Sequence, residues 1–386
     1  MPPPHQRALV AIDRHPSGCS SVCHACTMHR AGAPRLYHGE RTDGTGSSLQ
    51  NMMHTAAYAA WRGWNYGGII RNKGGASLGM KLCGKNPGCG RNVITTSQRL
   101  TGHAQPFDPA VELFLGSASS LIHDSIAEDP ATTTTILLKQ RYIPGKGSGA
   151  LIAEMMGKLQ AIRDRGNMSA VVMPAYALDL NALTAGTAYY DEFYSVPYRA
   201  ALRASAACAL SRHSLWHFRP DRPAVAIHIR RGDVNLARHP GRFTNDSYYY
   251  GVVEVIRQHL PTAEFHVFSS TRDQFRRGER NHSADARPLM HTSESFDGFR
   301  KRGMIVHLDG DANVASAHFM VARVLVLAKS SFSWAPAVYN PHCVVYHSFS
   351  GKPLSHWANA DTLSNLSRTL PSCIAATGLW RSSPGM

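Results

Sequence analysis

From residue 224 onward the chain repeats one pattern: a short apolar run stops in polar or charged residues, and a helical stretch follows. The runs at 224–229, 264–268, 304–308, 324–327 and 343–346 are each too short for an ordinary helix. They are also mostly apolar without strict alternation, which suits strands buried on both faces. Between them lie helical patterns. Asn245 or Asp246 can cap a stripe of Tyr249, Val252, Val253, Ile256 and Leu260, and a second helix is expected around 314–322. Apolar strands alternating with helices predict a parallel sheet covered on both sides.

The first half carries a shorter version of the same alternation. Residues 35–39 read as a strand, residues 43–48 as a glycine turn, and Leu49, Met52, Met53, Ala56, Ala57, Ala60, Trp61 and Trp64 as a helical stripe. Residues 66–70 return as a strand, completing a βαβ unit. Further strands are expected at 135–138 and 170–173, with a helix at 151–162 between them. Pro197 is placed to open a helix through Ala201, Leu202, Ala206 and Leu210 that bridges the halves. Residues 72–135 carry no assignable pattern, and Gly145-Lys146-Gly147-Ser148 lacks the upstream glycine of a phosphate loop. The predicted plan is α/β: a poorly ordered leader over 1–34, a Rossmann-like domain over 35–210 and a second over 211–386, with mainly parallel sheets.

Composition narrows the function classes only a little. The formal charge of +15 would attract nucleic acid, an anionic membrane or a phosphorylated substrate. The basic residues are scattered rather than massed, so nucleic acid is not the expected partner. No apolar run reaches the ~18 residues of a spanning helix. The first residues lack the apolar core of a secretory signal. That pattern suits a soluble enzyme or a chain that begins after an anchor, and the compartment and any membrane association stay open. Cys19, Cys23, Cys26 and His29 have metal-like spacing, but no second ligand pair follows at a zinc-finger distance. Cys83 and Cys89 would close a loop in an oxidising compartment, whereas Cys208, Cys343 and Cys373 read as isolated. The Asn-x-Ser triplets at Asn167, Asn245, Asn281 and Asn365 say little without a secretory signal.

In open α/β sheets ligands sit at the carboxyl ends of the strands. The 224–229 run delivers His228, Arg230, Arg231, Gly232 and Asp233 there, and the next delivers Ser269 and Ser270. The two after that deliver Asp309 and Asp311, then Lys329, Ser330 and Ser331. Guanidinium groups donate paired hydrogen bonds to phosphate oxygens, so these residue types suit a diphosphate carrying a sugar and a nucleoside. Gly44 and Gly46, ahead of a helix N-terminus, suit the approach of an anionic group.

These residues also carry a resemblance. His228-Ile229-Arg230-Arg231-Gly232-Asp233 resembles the His-x-Arg-Arg-Gly-Asp peptide of the α1,2-, α1,6- and protein O-fucosyltransferase superfamily. Residues 265–270 resemble its second motif, residues 318–334 its third, and the turn at 43–50 its N-terminal Gly-x-x-Leu/Gln segment. The resemblance implies a GT-B fold of two facing Rossmann-like domains, GDP-fucose as donor, inversion at the anomeric carbon, and no metal or other cofactor. It implies a glycan or glycoprotein hydroxyl as acceptor. It also sets His228 toward the nucleotide sugar, Arg230 on the β-phosphate, Ser330 and Ser331 on the phosphates, and His318 within the donor motif. Asp309 and Asp311 are expected on guanine or ribose, or else in a helix-capping turn. Two departures stand out. The stretch 234–239 has no acid where the α1,6 branch has one, which leaves Asp233 or His239 as candidate general base. Arg323 occupies a position where related sequences commonly carry an acid. The alternatives are a transferase using another nucleotide sugar, a non-catalytic relative, and a basic nucleic-acid-binding protein.

Overall fold

The computed structural model describes residues 33–39, 45–70, 107–115, 121–123, 135–137, 157, 161, 170–173, 187–211, 215, 217–232, 234–237, 239–271, 291–349 and 351–376. Residues 1–32 of the expected leader at 1–34, the helix expected at 151–162 and the cysteines at 19–26 and 83–89 lie outside this description, apart from isolated helical residues at 157 and 161.

The first half runs β1 (Arg35–Gly39), α1 (Thr45–Arg62), β2 (Asn65–Ile70), α2 (Phe107–Leu115), β3 (Ile122–His123), β4 (Thr135–Leu137), β5 (Ala170–Met173) and α3 (Val196–Ser211). The second half runs β6 (Ala224–His228), α4 (Asp246–His259), β7 (Glu264–Ser269), α5 (Asp297–Arg300), β8 (Ile305–Leu308) and α6 (Ala312–Val321). It continues with β9 (Val324–Val326), α7 (Ser331–Tyr339), β10 (Cys343–Tyr346), β11 (Ala358–Asn359) and α8 (Leu363–Ala376). Two sheets result, ordered β3-β2-β1-β5-β4 and β11-β10-β9-β6-β7-β8, and every described strand pair is parallel. This is the two-Rossmann, GT-B-like α/β plan expected from the sequence.

Strand pleating divides the second sheet's side chains between two cores. Val225, Ile227 and Ile229 face a cluster with Val252, Ile256, Phe299 and Leu366 from α4, α5 and α8. Ala226 and Phe268 face the opposite way, toward Phe319 of α6 and Trp334 and Val338 of α7. That second cluster does not stop at the half boundary. It runs on through Tyr194 and Leu202 on and before α3 to Met52, Met53 and Ala57 of α1 and Phe114 of α2. The ring of Trp334 meets His54 of α1 at 5.0 Å and Tyr194 at 5.6 Å, and His54 Nδ1 lies 2.7 Å from the Tyr194 hydroxyl. The tip contact between halves is closer still. A Cβ built on Gly46, in the first turn of α1, would fall 2.6 Å from the backbone nitrogen of Phe332, in the first turn of α7. Glycine there lets two helix N-termini abut.

Cys343 and Cys373, isolated by sequence, are in fact joined in a disulfide that ties β10 to α8. Their 30-residue separation carries no local sign of pairing, since the contact is made by the sheet and its covering helix. Among the described residues no helix is long and apolar enough to cross a membrane.

Candidate functional site

The carboxyl edge of the second sheet reads, in spatial order, His347 after β10, Lys329 after β9, Arg230 after β6, Ser270 after β7 and Asp309 after β8. Arg230, Lys329 and Ser330 therefore converge because β6 and β9 are neighbours in register, with Ile227 opposite Val326. The half-buried Arg230 guanidinium donates from Nη1 to Ser330 Oγ at 3.2 Å. Ser330 is the N-cap of α7, and its Oγ also accepts from the Phe332 amide at 3.3 Å. Ser331 follows, buried in the first turn. An arginine, a capped helix N-terminus and the tip of α1 at Gly46 thus meet at one point, each presenting positive potential.

The two arginines of the motif divide their work. Arg231 is 4% exposed and turned inward. It donates to the carbonyl oxygens of Thr244 (2.9 Å) and Arg230 (3.2 Å), forms an ion pair with Asp246, and lies over the Phe243 ring at 4.4 Å. Its guanidinium is thus occupied in holding the loop between β6 and α4. Gly232 takes φ 44°, a left-handed conformation that a side chain would resist, and its amide donates to Ser270 O at 3.1 Å. His228 is buried against the rings of Phe319 and Phe332 at 5.7 and 5.4 Å.

Several residues expected at the ligand are engaged by the chain itself. Ser269 Oγ donates to Ile229 O at 2.6 Å, bracing β7 to the end of β6. Asp309, at φ 57°, accepts from the Thr271 amide at 2.7 Å and the Thr271 hydroxyl at 2.8 Å. Asp311 caps α6, accepting from Asn313 N (2.7 Å) and Val314 N (3.0 Å) through Oδ1. His318 is fully buried. Its Nδ1 lies 2.7 Å from Val314 O and so carries the proton, leaving Nε2 to accept from His217 N at 3.4 Å. Arg323 sits at the opposite edge of the sheet, its amide bonded to Ala224 O at the start of β6, so this departure does not touch the donor edge.

His318 belongs to a packed group of four imidazoles. His217 lies 3.9 Å from His307 and 4.8 Å from His318, ring to ring, and His266 stacks on His307 with planes 7° apart. His266 Nδ1 and His307 Nε2 are 3.1 Å apart. Burial, followed by mutual repulsion, pushes His217 down to about 3 and His266 and His307 to about 4. Among the described residues no group of three or more His, Cys, Asp or Glu is disposed to hold a metal ion.

Of the base candidates, His239 is half-buried in the loop after β6, its amide donating to Asn235 O at 2.9 Å. Asp233 and Gly44 lie outside the described residues. Two groups at the junction do not stand out in the sequence as strand-end ligands. Gln50 of α1 and His347 line a pocket with Ser330, Ser331, Tyr346 and Phe349. A signal for His347 exists, because it is the first residue beyond the apolar run 343–346.

No protein-family model matches the chain, and no curated protein matches it. Solved structures similar to it include the E. coli heptosyltransferase WaaC with ADP, at TM-score 0.35 and 11% identity over 89% of this chain and 99% of that one. A point mutant of Arabidopsis thaliana FUT1 in complex with GDP gives TM-score 0.35 and 10% identity over 83% and 72%. POFUT1 in complex with GDP-fucose gives TM-score 0.31 and 9% identity over 84% and 96%. The fold of this chain rests on its own strand order.

Proposed function

We propose that the chain is a glycosyltransferase that takes fucose from GDP-fucose and places it on a glycan or protein hydroxyl, with inversion and without a metal cofactor. The observation that carries this reading is the Arg230–Ser330 contact at the N-terminus of α7, with the tip of α1 pressed against it. When the sugar–phosphate bond breaks, its electron pair passes to the β-phosphate, and negative charge grows there. A guanidinium fixed by Ser330, beside a helix N-terminus, stabilises that charge more than it stabilises the intact donor. Arg231 contributes by fixing the loop that carries Arg230. Attack of the acceptor hydroxyl on the anomeric carbon releases a proton, which Asp233 or His239 accepts. Ser270 and His228 complete the donor edge, while Asp309, Asp311 and Ser269 shape it through their backbone contacts. The guanine and fucose assignments rest on the motif resemblance.

A thermal-shift comparison of GDP, UDP, ADP and CDP, each with EDTA and with Mg²⁺, tests the donor. Stabilisation by GDP above the others, equal in EDTA and Mg²⁺, is expected. Equal stabilisation by all four, or by none, would remove the GDP assignment.

A further inference from the structure

The four Asn-x-Ser triplets mean little by themselves, and two of them, at Asn167 and Asn281, fall outside the described residues. The Cys343–Cys373 disulfide changes what the other two, at Asn245 and Asn365, signify. Such bridges form and persist in oxidising compartments and are rare where glutathione and thioredoxin keep thiols reduced. Both cysteines are buried, and they join β10 to α8 inside the core that α4 also covers. Glycans on asparagines of this triplet are likewise a feature of secreted proteins, carried on surface segments.

The fold separates the two triplets. Asn245 stands exposed at the N-cap of α4, with extended backbone at φ −62° and ψ 149°. Asparagine at an N-cap ordinarily turns its side-chain oxygen onto the second or third amide of the helix. Here the side chain makes no capping hydrogen bond, and it is the backbone carbonyl that accepts, from Tyr248 N at 3.1 Å. The Asn245 amide thus sits at the surface with no helical bond to give up. Ser247, which supplies the hydroxyl of the triplet, is exposed as well, while Asp246 between them is held by its ion pair with Arg231. Asn365 differs on each count. It lies half-buried in the first turn of α8, its Nδ2 donates to Asn359 Oδ1 at 3.4 Å, and its Oδ1 accepts from Arg368 Nη2 at 2.9 Å. A glycan on that nitrogen would press against Asn359 at the end of β11.

We infer that Asn245 is an N-glycosylation site and that the chain folds in an oxidising lumen, where the Cys343–Cys373 bridge also forms. The co-reactant is a lipid-diphosphate-linked oligosaccharide, supplied with its transferase by the host. The Asn245 amide nitrogen loses a proton and bonds to the anomeric carbon of the oligosaccharide. The bond from that carbon to the diphosphate breaks, and the lipid diphosphate leaves with its electron pair. The glycan then stands at the N-terminus of α4, beside the loop that Arg231 fixes, and leaves the Arg231–Asp246 pair intact. Neither part of the inference depends on GDP-fucose being the donor.

The full chain, made in eukaryotic cells behind a cleavable secretory leader, tests this. Its peptides are mapped by mass spectrometry before and after treatment with peptide N-glycosidase, which leaves Asp where a glycosylated Asn stood. Asn245 is expected to carry a glycan and Asn365 to remain bare. Asn245→Gln and Ser247→Ala are each expected to lose the mass of one glycan on a gel. A bare Asn245 overturns the inference whether or not the chain is exported, because the glycan is added on entry to the lumen. An unchanged glycan mass in both variants does the same. The compartment has its own arm. After glycan removal, the lumenal chain is expected to be bridged at Cys343–Cys373 and to unfold at higher denaturant than a cytosolic chain with both thiols free. Free thiols in the lumenal chain, or equal midpoints, overturn the oxidising lumen.

Discussion

Acidification from pH 7 to pH 5 should loosen this protein through His217, His266 and His307, and the size of the effect follows from their burial. A histidine ordinarily titrates near 6.5, whereas His266, with no exposed surface, is held at about 4. Its folded-state value is depressed, so the unfolded chain binds the extra proton. Stability is therefore complete above about 6.5 and drains away as pH falls toward 4. Between pH 7 and pH 5 linkage gives about 2 kcal/mol for His266 alone. His307, also held at about 4, and His217, at about 3, face partly outward and contribute less each, for about 4 kcal/mol in all. That is a large share of the 5–15 kcal/mol typical of a folded domain. Guanidinium unfolding at pH 7, 6 and 5 would be compared between the wild-type chain and the double variant H266F/H307F. The variant keeps two stacked rings and removes two of the titrating groups, so its stability should fall less steeply with pH. Parallel pH dependence in the two proteins would refute the reasoning, since His291, His347 and His356 titrate in both.

The division of the motif arginines gives a second prediction. Arg230→Ala should fold normally and lose donor binding, whereas Arg231→Ala should lose roughly 2 kcal/mol of stability by emptying a buried site and leaving the Thr244 carbonyl oxygen without its donor; unfolding curves and nucleotide titrations separate the two. Cys343→Ser should cost about 3 to 4 kcal/mol, the loop-closure value for a bridge across 30 residues, measured as a lower denaturant midpoint that reductant reproduces in the wild-type chain.

The strands of the second half were legible because each is a short apolar run that stops abruptly, and β6, β7 and β10 begin where that pattern begins. Helix α7 was not, for a physical reason. All but one of its nine residues are buried, so no polar face exists to reveal a period, and Pro336 argues against a helix on local grounds. The candidate site was legible as a set of strand ends and illegible in its allocation. Arg230 and Arg231 are adjacent and chemically identical, and only the fold gives one to the cleft and the other to Asp246. Asp309, Asp311 and Ser269 have the chemistry of ligands and also bond nearby groups of the chain, which sequence alone does not reveal.

The apolar core that runs from α1 through α3 to α7 makes the boundary between the halves a chemical fiction for unfolding. Separating them would bare Trp334, Tyr194 and Met53 together, so neither half has a complete interior without the other. The chain should consequently melt in a single transition, and damage to the first sheet should be felt at Arg230 even though that arginine stands at the edge of the second.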